Sequence, residues 1–271
     1  MFELAAETDE TSLAPPSVLV DALHEADDSF ADMSNPEEAR ASADKKPTPR
    51  ASQKDRAREA MIERILDAAE QLFAEYGYHG VTVKDVAKKI GVSPTLLHYH
   101  FSGKERIFEA VWARKAPLSS RSRLDSMRRY AENVGDAVTV EGALRSWIHP
   151  DLDAHIDDEA YWSAFGRIAA QANSAGGWGS EKMSAYFDPV AMALVNMLKQ
   201  AMPETPEEKV FWAFHFISGA MTHNMARTGR LDALSGGLCS SNDFHSIKQH
   251  MVDFMAGGIK AICMPGANLK T

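Results

Sequence analysis

The chemistry-bearing side chains of this chain gather in one run, Val81 to Phe108, VTVKDVAKKIGVSPTLLHYHFSGKERIF. Thr95, His98, Tyr99 and His100 follow one another closely there. At about 100° per residue, Leu97 and Phe101 share one side of a helix, with Leu96 and His100 flanking them. Thr95, His98 and Tyr99 then project from the opposite side, with Pro94 at the leading edge. Thr can serve a base hydrogen bond or the thymine methyl, and Tyr does both at longer reach. Lys84, His98, His100 and Lys104 surround that face and suit phosphate oxygens, which position a protein on a duplex without specifying sequence. Arg56, Thr82, Ser93 and Leu96 complete the expected contact set. A metal site is not expected. Two histidines at i, i+2 point about 160° apart on a helix, and zinc asks for three or four ligands.

The elements that must hold this face are marked by their caps. Thr82 is followed three residues later by Asp85, a capping box, and Val81 and Val86 stand where a hydrophobic staple would fix the approach angle. Gly91 allows the left-handed turn that ends the helix. Ser93 caps the next helix, Pro94 takes its first position, and Val92 and Leu97 repeat the staple. Ser102 with Glu105 is expected to start a third in the same way. With a cap contributing about 1 kcal/mol, three in a short run delimit a helix-turn-helix, whose second helix enters the DNA major groove.

At these residues the chain resembles the TetR family of bacterial transcription regulators. The phrase LFAEYGYHGVT (Leu72 to Thr82) ends the first helix. The turn Asp85 to Ser93, the short helix Pro94 to His100 and the run His98 to Glu105 follow in the family's order, and the resemblance covers about residues 56 to 112. His98 and His100 depart from it, since the family usually has Tyr there. Imidazole still donates to phosphate, with a charge that depends on pH.

Composition supports this reading once it is divided. The 271 residues are 45% hydrophobic and carry a net charge of −9. Residues 1–49 hold 12 acidic and 3 basic side chains, residues 50–121 hold 13 basic and 9 acidic, and residues 122–271 hold 13 basic and 17 acidic. The basic excess falls on the motif and on Arg50, Lys54, Arg56 and Arg58 ahead of it, and attraction to DNA is local. No apolar run is long enough to span a membrane, and the acidic N-terminus is unlike a signal peptide. Cys239 and Cys263 lack paired spacing, which implies a reduced, cytoplasmic protein. No Ser-His-Asp order, phosphate-binding Gly loop or metal spacing is present. Asp157-Asp158-Glu159 reads as a helix start that complements its dipole. Neither an enzyme nor a cofactor is expected.

The fold class expected is all-α: a three-helix DNA-binding head joined to a larger helical body for effector binding and dimerisation. Residues 1–49 read as a disordered acidic extension, 50–103 as the head, 104–265 as the body and 266–271 as a tail. The first helix runs from about Asp55 to Tyr76, stopped by Gly77, with Ile62, Ile65, Leu66, Ala69, Leu72 and Phe73 inward. A helix from Lys104 leads into the body, and further helices fall near 120–133, 139–149, 157–173, 181–201, 206–227 and 243–263. Breaks are expected at Gly135, Pro150, Gly176-Gly177, Pro203 and the loop Gly229–Asn242.

Helices 188–202 and 206–226 are apolar on more faces than one core contact needs, Phe211, Trp212, Phe214, Phe216, Ile217 and Met221 nearly encircling the second. Such a helix is central in its own domain or buried by a partner. The family resemblance implies the latter, a homodimer joined by a four-helix bundle and bound to a palindromic operator. Aromatic and polar groups that could line an effector cavity are Trp147, His149, Trp162, Phe165, Arg167, Gln171, His215 and His223. A buried Arg167 needs an anionic partner, either a ligand carboxylate or a nearby Asp or Glu. The stretch FWAFHFISGAMTHNMARTGRLDALSGGLC is similar to the C-terminal domain of a TetR subgroup with fatty-acid-responsive members. That similarity implies a small hydrophobic effector, acyl or carboxylate, which releases a repressor from DNA. A ligand-independent architectural DNA-binding protein is the alternative, favoured by a body without a cavity.

Overall fold

The computed structural model describes residues 53–263, apart from the side chain of Trp178. The acidic extension 1–49, Arg50 and the tail 266–271 lie outside the described residues. Among the described residues ten helices follow in order: α1 Gln53–Gly80, α2 Val83–Ile90, α3 Pro94–His100, α4 Lys104–Val134, α5 Val140–Asp157, α6 Glu159–Ser174, α7 Trp178–Ala201, α8 Glu207–Ala226, α9 Arg230–Leu234 and α10 Phe244–Cys263. No strand occurs among the described residues.

Two apolar cores organise them. One gathers Ile65 and Phe73 of α1, Val86 of α2, Leu97 of α3 and Phe108 and Trp112 of α4, and extends to Phe165 and Ile168 of α6. The other joins Leu124 and Met127 of α4 to α5, α7, α8 and α10 through Leu144, Leu194, Ile217 and Met255. α4 has 31 residues, about 46 Å at the usual rise, and takes part in both. Its first three turns pack with the head, so the head's core passes beyond Lys104.

The local signals at the head are seen in the backbone. Gly77 breaks regular geometry inside α1 at φ 73°. Thr82 Oγ1 accepts from the Asp85 amide at 3.3 Å and Asp85 Oδ2 accepts from the Thr82 amide at 2.8 Å. The Thr82 hydroxyl also donates to Asp85 Oδ2, at 2.6 Å, and this bond together with the one from the Thr82 amide holds the Asp85 carboxyl below the ordinary carboxylate range. Gly91 closes α2 in the left-handed region at φ 74°, where a side chain would be strained. Ser93 Oγ accepts from the Leu96 amide, with Pro94 in the first turn.

Three expectations fail, and the loop expected over Gly229–Asn242 holds the short α9. Ser102 does not cap: Ile107 N–H bonds the Gly103 carbonyl, so the cap position falls on Gly103, which has no side chain to offer. The helix expected near 120–133 is the second half of α4, which runs through Pro117 without a break. Pro150, expected as a stop, lies inside α5. An interior proline costs about 3 kcal/mol, while each fully buried Ile or Leu returns about 1.5–3 kcal/mol. Ile148 and Leu152 beside Pro150 are wholly buried, as is Ala116 beside Pro117. Tertiary burial outweighs the local penalty.

At the far end, Arg227 adopts φ 50° after α8. Its guanidinium donates to Ser163 Oγ at 2.7 Å, to Asn242 Oδ1 at 2.7 Å and to Glu159. These bonds tie α8 to α6 and to the segment before α10.

Candidate DNA-binding surface and ligand cavity

α3 presents the sequence-predicted face outward. Leu97 is fully buried and Phe101 half-buried against the head core, whereas Thr95, His98 and Tyr99 are exposed, Tyr99 to 75%. Arg56, Thr82, Lys84, Ser93 and Pro94 are also exposed, while Leu96 and His100 are half-buried. Lys88 and Lys89 on the last turn of α2 add exposed cations beside Lys84. Lys104 is placed differently. Its ammonium donates to the Tyr78 carbonyl at 3.0 Å and sits 4.3 Å from the Tyr78 ring centroid, which draws it toward the end of α1. Arg64, which sequence reasoning passed over, donates to the Ile90 carbonyl at 3.1 Å and fastens α1 to α2.

A cavity of about 170 Å³ opens between α4, α5, α6, α7 and α8. Trp147, Trp162 and Phe165 line it as the sequence suggested, together with Phe187 and Phe214. The other five predicted ligand residues lie elsewhere. Gln171 donates to the Ala74 carbonyl at 3.0 Å and edges a groove beside Tyr76–Gly80. His215 and His223 border an outer groove on α8. Arg167 is half-buried and absent from the lining. His149 is also half-buried, and burial lowers its pKa.

The arginine in the cavity wall is instead Arg123, from α4. It pairs with Asp151 of α5, whose other oxygen accepts from Ser119 Oγ at 2.7 Å. The Arg123 guanidinium also lies 4.6 Å from the Trp147 ring. His155, one turn after Asp151, is 96% buried and bonds the Asp151 carbonyl through Nδ1 at 2.8 Å. Sequence reasoning passed over all three: Asp151 and His155 share one helix face at i, i+4, and Arg123 comes from another helix, 28 positions before Asp151.

Burial pushes the His155 pKa below its ordinary value of 6.5. The unfolded chain then binds a proton that the folded chain refuses. Stability is whole above about pH 6.5 and falls as acid is added. Thermal melts from about pH 7.5 down to about pH 5 should show a declining midpoint that is flattened in His155→Gln. Equal slopes in both proteins would remove His155 as the cause.

A third surface is apolar and open. On α8, Trp212 and Phe216 are 51% and 53% exposed, stacked at 6.0 Å, with Phe211 and Gly219 on the same side. On α10, which packs against α8, Phe254 is 77% exposed and Ile262 and Gly258 are open near it. The surplus apolar surface of 188–202 has a different fate. Val190, Leu194, Val195, Met197 and Leu198 are buried in the chain's own core, and Met192 alone of the large apolar side chains there is exposed. α7 is thus the central helix, and α10 takes the open position beside α8.

A capped helix-turn-helix carried on a helical, cavity-bearing body is the architecture of a transcriptional regulator. Residues 65–111 match the model of bacterial regulatory proteins of the tetR family, and residues 145–258 that of the tetracyclin repressor-like C-terminal domain. Together the two models take in more than half of the chain, which belongs to the TetR family. IcaR of Staphylococcus aureus, the negative transcriptional regulator of the biofilm operon icaADBC, is 43% identical over 49 residues, 18% of this chain and 26% of that protein. The transcriptional regulator UidR of Escherichia coli K12 is 40% identical over 48 residues, 18% of this chain and 24% of that one. The chain thus matches about a quarter of the length of these curated relatives.

Among solved structures, the hemolysin II transcriptional regulator HlyIIR aligns with a TM-score of 0.51 at 20% identity, covering 74% of this chain and 97% of that one. A candidate fatty acid metabolism regulator from Clostridium perfringens aligns at 0.51 and 18%, covering 72% and 97%. At such identities the likeness is one of fold. Among the described residues no helix is long and apolar enough to cross a membrane, and no group of three or more His, Cys, Asp or Glu side chains could hold a metal.

Proposed function

We propose that the protein is a cytoplasmic, homodimeric transcriptional repressor without catalytic activity, released from a palindromic operator by a small hydrophobic effector. The observation that carries the DNA reading is α3 itself: Leu97 anchors it while Thr95 and Tyr99 stand free. Thr95 and Tyr99 read base edges; Arg56, Lys84, His98 and His100 hold phosphates; Lys104 contacts a phosphate only after leaving Tyr78. Thr82, Ser93, Pro94 and Leu96 shape the leading edge of α3. Replacing Tyr99 by Ala should cost about 1–3 kcal/mol of operator binding and relax preference at one base pair, whereas Lys84→Ala should weaken all sequences alike and reduce the salt slope by about one contact. Binding titrations on a selected operator across salt concentrations test this, and the reverse pattern would mean that the faces are exchanged.

The cavity favours the ligand-responsive reading over the architectural one. Phe165 and Phe187 belong to its wall, and both meet Trp112 of α4, at 5.4 and 6.0 Å between centroids. Trp112 stacks on Phe108, which abuts Phe73 in the head. A ligand that prefers one packing of these rings shifts the head against the body. The two recognition helices of a dimer must sit about 34–36 Å apart to engage successive turns of the major groove, so a small tilt of each head disengages one of them.

A further inference from the structure

We propose that the cavity takes a small, uncharged aromatic compound bearing a hydroxyl group, of the phenol class, in preference to an acyl or aromatic carboxylate. This rests on the ligand-responsive reading above and names the chemistry of its site.

Size is the first constraint. The cavity holds about 170 Å³, close to the apolar cavity of about 150 Å³ that accepts benzene. It is well below the roughly 300–1,000 Å³ of pockets for drug-sized ligands. One substituted ring fills it; a long acyl chain requires the body to open.

Charge is the second. The cation in the wall already has its anion: Arg123 and Asp151 are paired, and Ser119 satisfies the other carboxylate oxygen. A ligand carboxylate seated on Arg123 would leave Asp151 ionised and half-buried without its cation, or would itself remain unpaired. Asp188, the other acid on the lining, is exposed and adds negative charge at the rim. The lining offers no unpaired cation to a further anion.

Hydrogen bonding is the third. Three lining side chains, each more than nine-tenths buried, have a polar atom without a partner: Arg123 Nε, Trp147 Nε1 and His155 Nε2. The first two are N–H donors and ask for an acceptor. The third is an acceptor, because the Asp151 carbonyl can only accept and so fixes the proton on Nδ1. A hydroxyl both accepts and donates, so it answers either kind of vacancy. The aromatic walls supply the rest of the contact.

The test uses the full chain, titrated calorimetrically with 4-ethylphenol, benzoate and decanoate, each with parallel thermal melts and operator binding. Expected in the wild type is binding of 4-ethylphenol with a raised midpoint, and binding of both carboxylates weaker by about tenfold or more, a gap of about 1.4 kcal/mol. Ala169→Phe, which fills the cavity, should abolish the phenol's binding. Asp151→Asn, which leaves Arg123 without its anion, should reverse the order in favour of benzoate. Tighter binding of benzoate or decanoate by the wild type, or no binding of 4-ethylphenol at millimolar concentration, overturns the proposal. Phenol binding that leaves operator affinity unchanged upholds the ligand class and sinks the release reading instead.

Discussion

Replacing Glu70 by Ala is expected to cost about 3–5 kcal/mol of folding stability, because it strands a buried ammonium. Glu70 and Lys115 are both nearly inaccessible, and Lys115 Nζ donates to Glu70 Oε1 at 2.5 Å. The same ammonium bonds the Tyr161 carbonyl and lies 4.1 Å from the Tyr161 ring. Through this one group α1 of the head, α4 and the first turn of α6 are joined. Arg114 beside it reaches Asp67 at 2.8 Å, but Asp67 is largely exposed, and such pairs contribute little. A buried ion pair need not stabilise relative to an apolar one, whereas half of a pair always destabilises. The double variant Glu70→Leu/Lys115→Met should therefore recover most of the loss. Urea unfolding of the wild type, Glu70→Leu, Lys115→Met and the double variant gives the coupling directly. A single-variant loss under about 1 kcal/mol would show that solvent reaches the pair and that it does not hold head to body.

Introducing charge on the open α8 face should cost DNA binding more than any change in the head except loss of α3. Trp212→Glu with Phe216→Glu alters side chains already half exposed in the single chain, so the fold should survive. In the proposed dimer, joined through this face, those side chains would sit in the centre of the interface, where unpaired charge is strongly unfavourable. The variant should sediment as a monomer with unchanged helical content. Its affinity for a full palindrome should drop by about 10²–10⁴, the factor lost when two tethered contacts become one. Affinity for an isolated half-site should not change. A variant that remains dimeric would move the interface off α8, and the matching change Phe254→Glu on α10 would then show whether that helix carries it alone.

Where sequence reasoning succeeded, the cause was local. The Thr82–Asp85 box, the Gly91 stop and the Ser93-Pro94 start are interactions within four residues, and their chemistry is written in adjacent letters. The inward and outward sides of α3 followed from helical spacing alone. Where it failed, a distant part of the chain had intervened. Pro117 and Pro150 are helix breakers by their neighbours, and only burial of Ile148, Leu152 and Ala116 against other helices keeps α4 and α5 continuous. The Ser102 cap failed by one residue, within the reach of ordinary boundary error.

The cavity divides in the same way. Trp147, Trp162 and Phe165 were readable as large side chains on inward stripes. Arg167 drew attention through its aromatic neighbours, yet the structure keeps it out of the wall and supplies Arg123. Nothing in the residues around Arg123 distinguishes it from any other arginine of a long helix. Its meaning depends on Asp151, 28 positions further on. Likewise 188–202 and 206–226 were equally apolar to the eye, and packing made one of them central and left the other open.

The amino-acid sequence by itself determined that this chain builds a capped helix-turn-helix with a basic head on an all-helical body, because capping, periodicity and local charge act over a few residues. Tertiary structure alone decided which arginine enters the cavity, which proline is tolerated and which apolar helix faces outward. Each of those depends on burial and desolvation, which exist only after residues far apart in the chain have met.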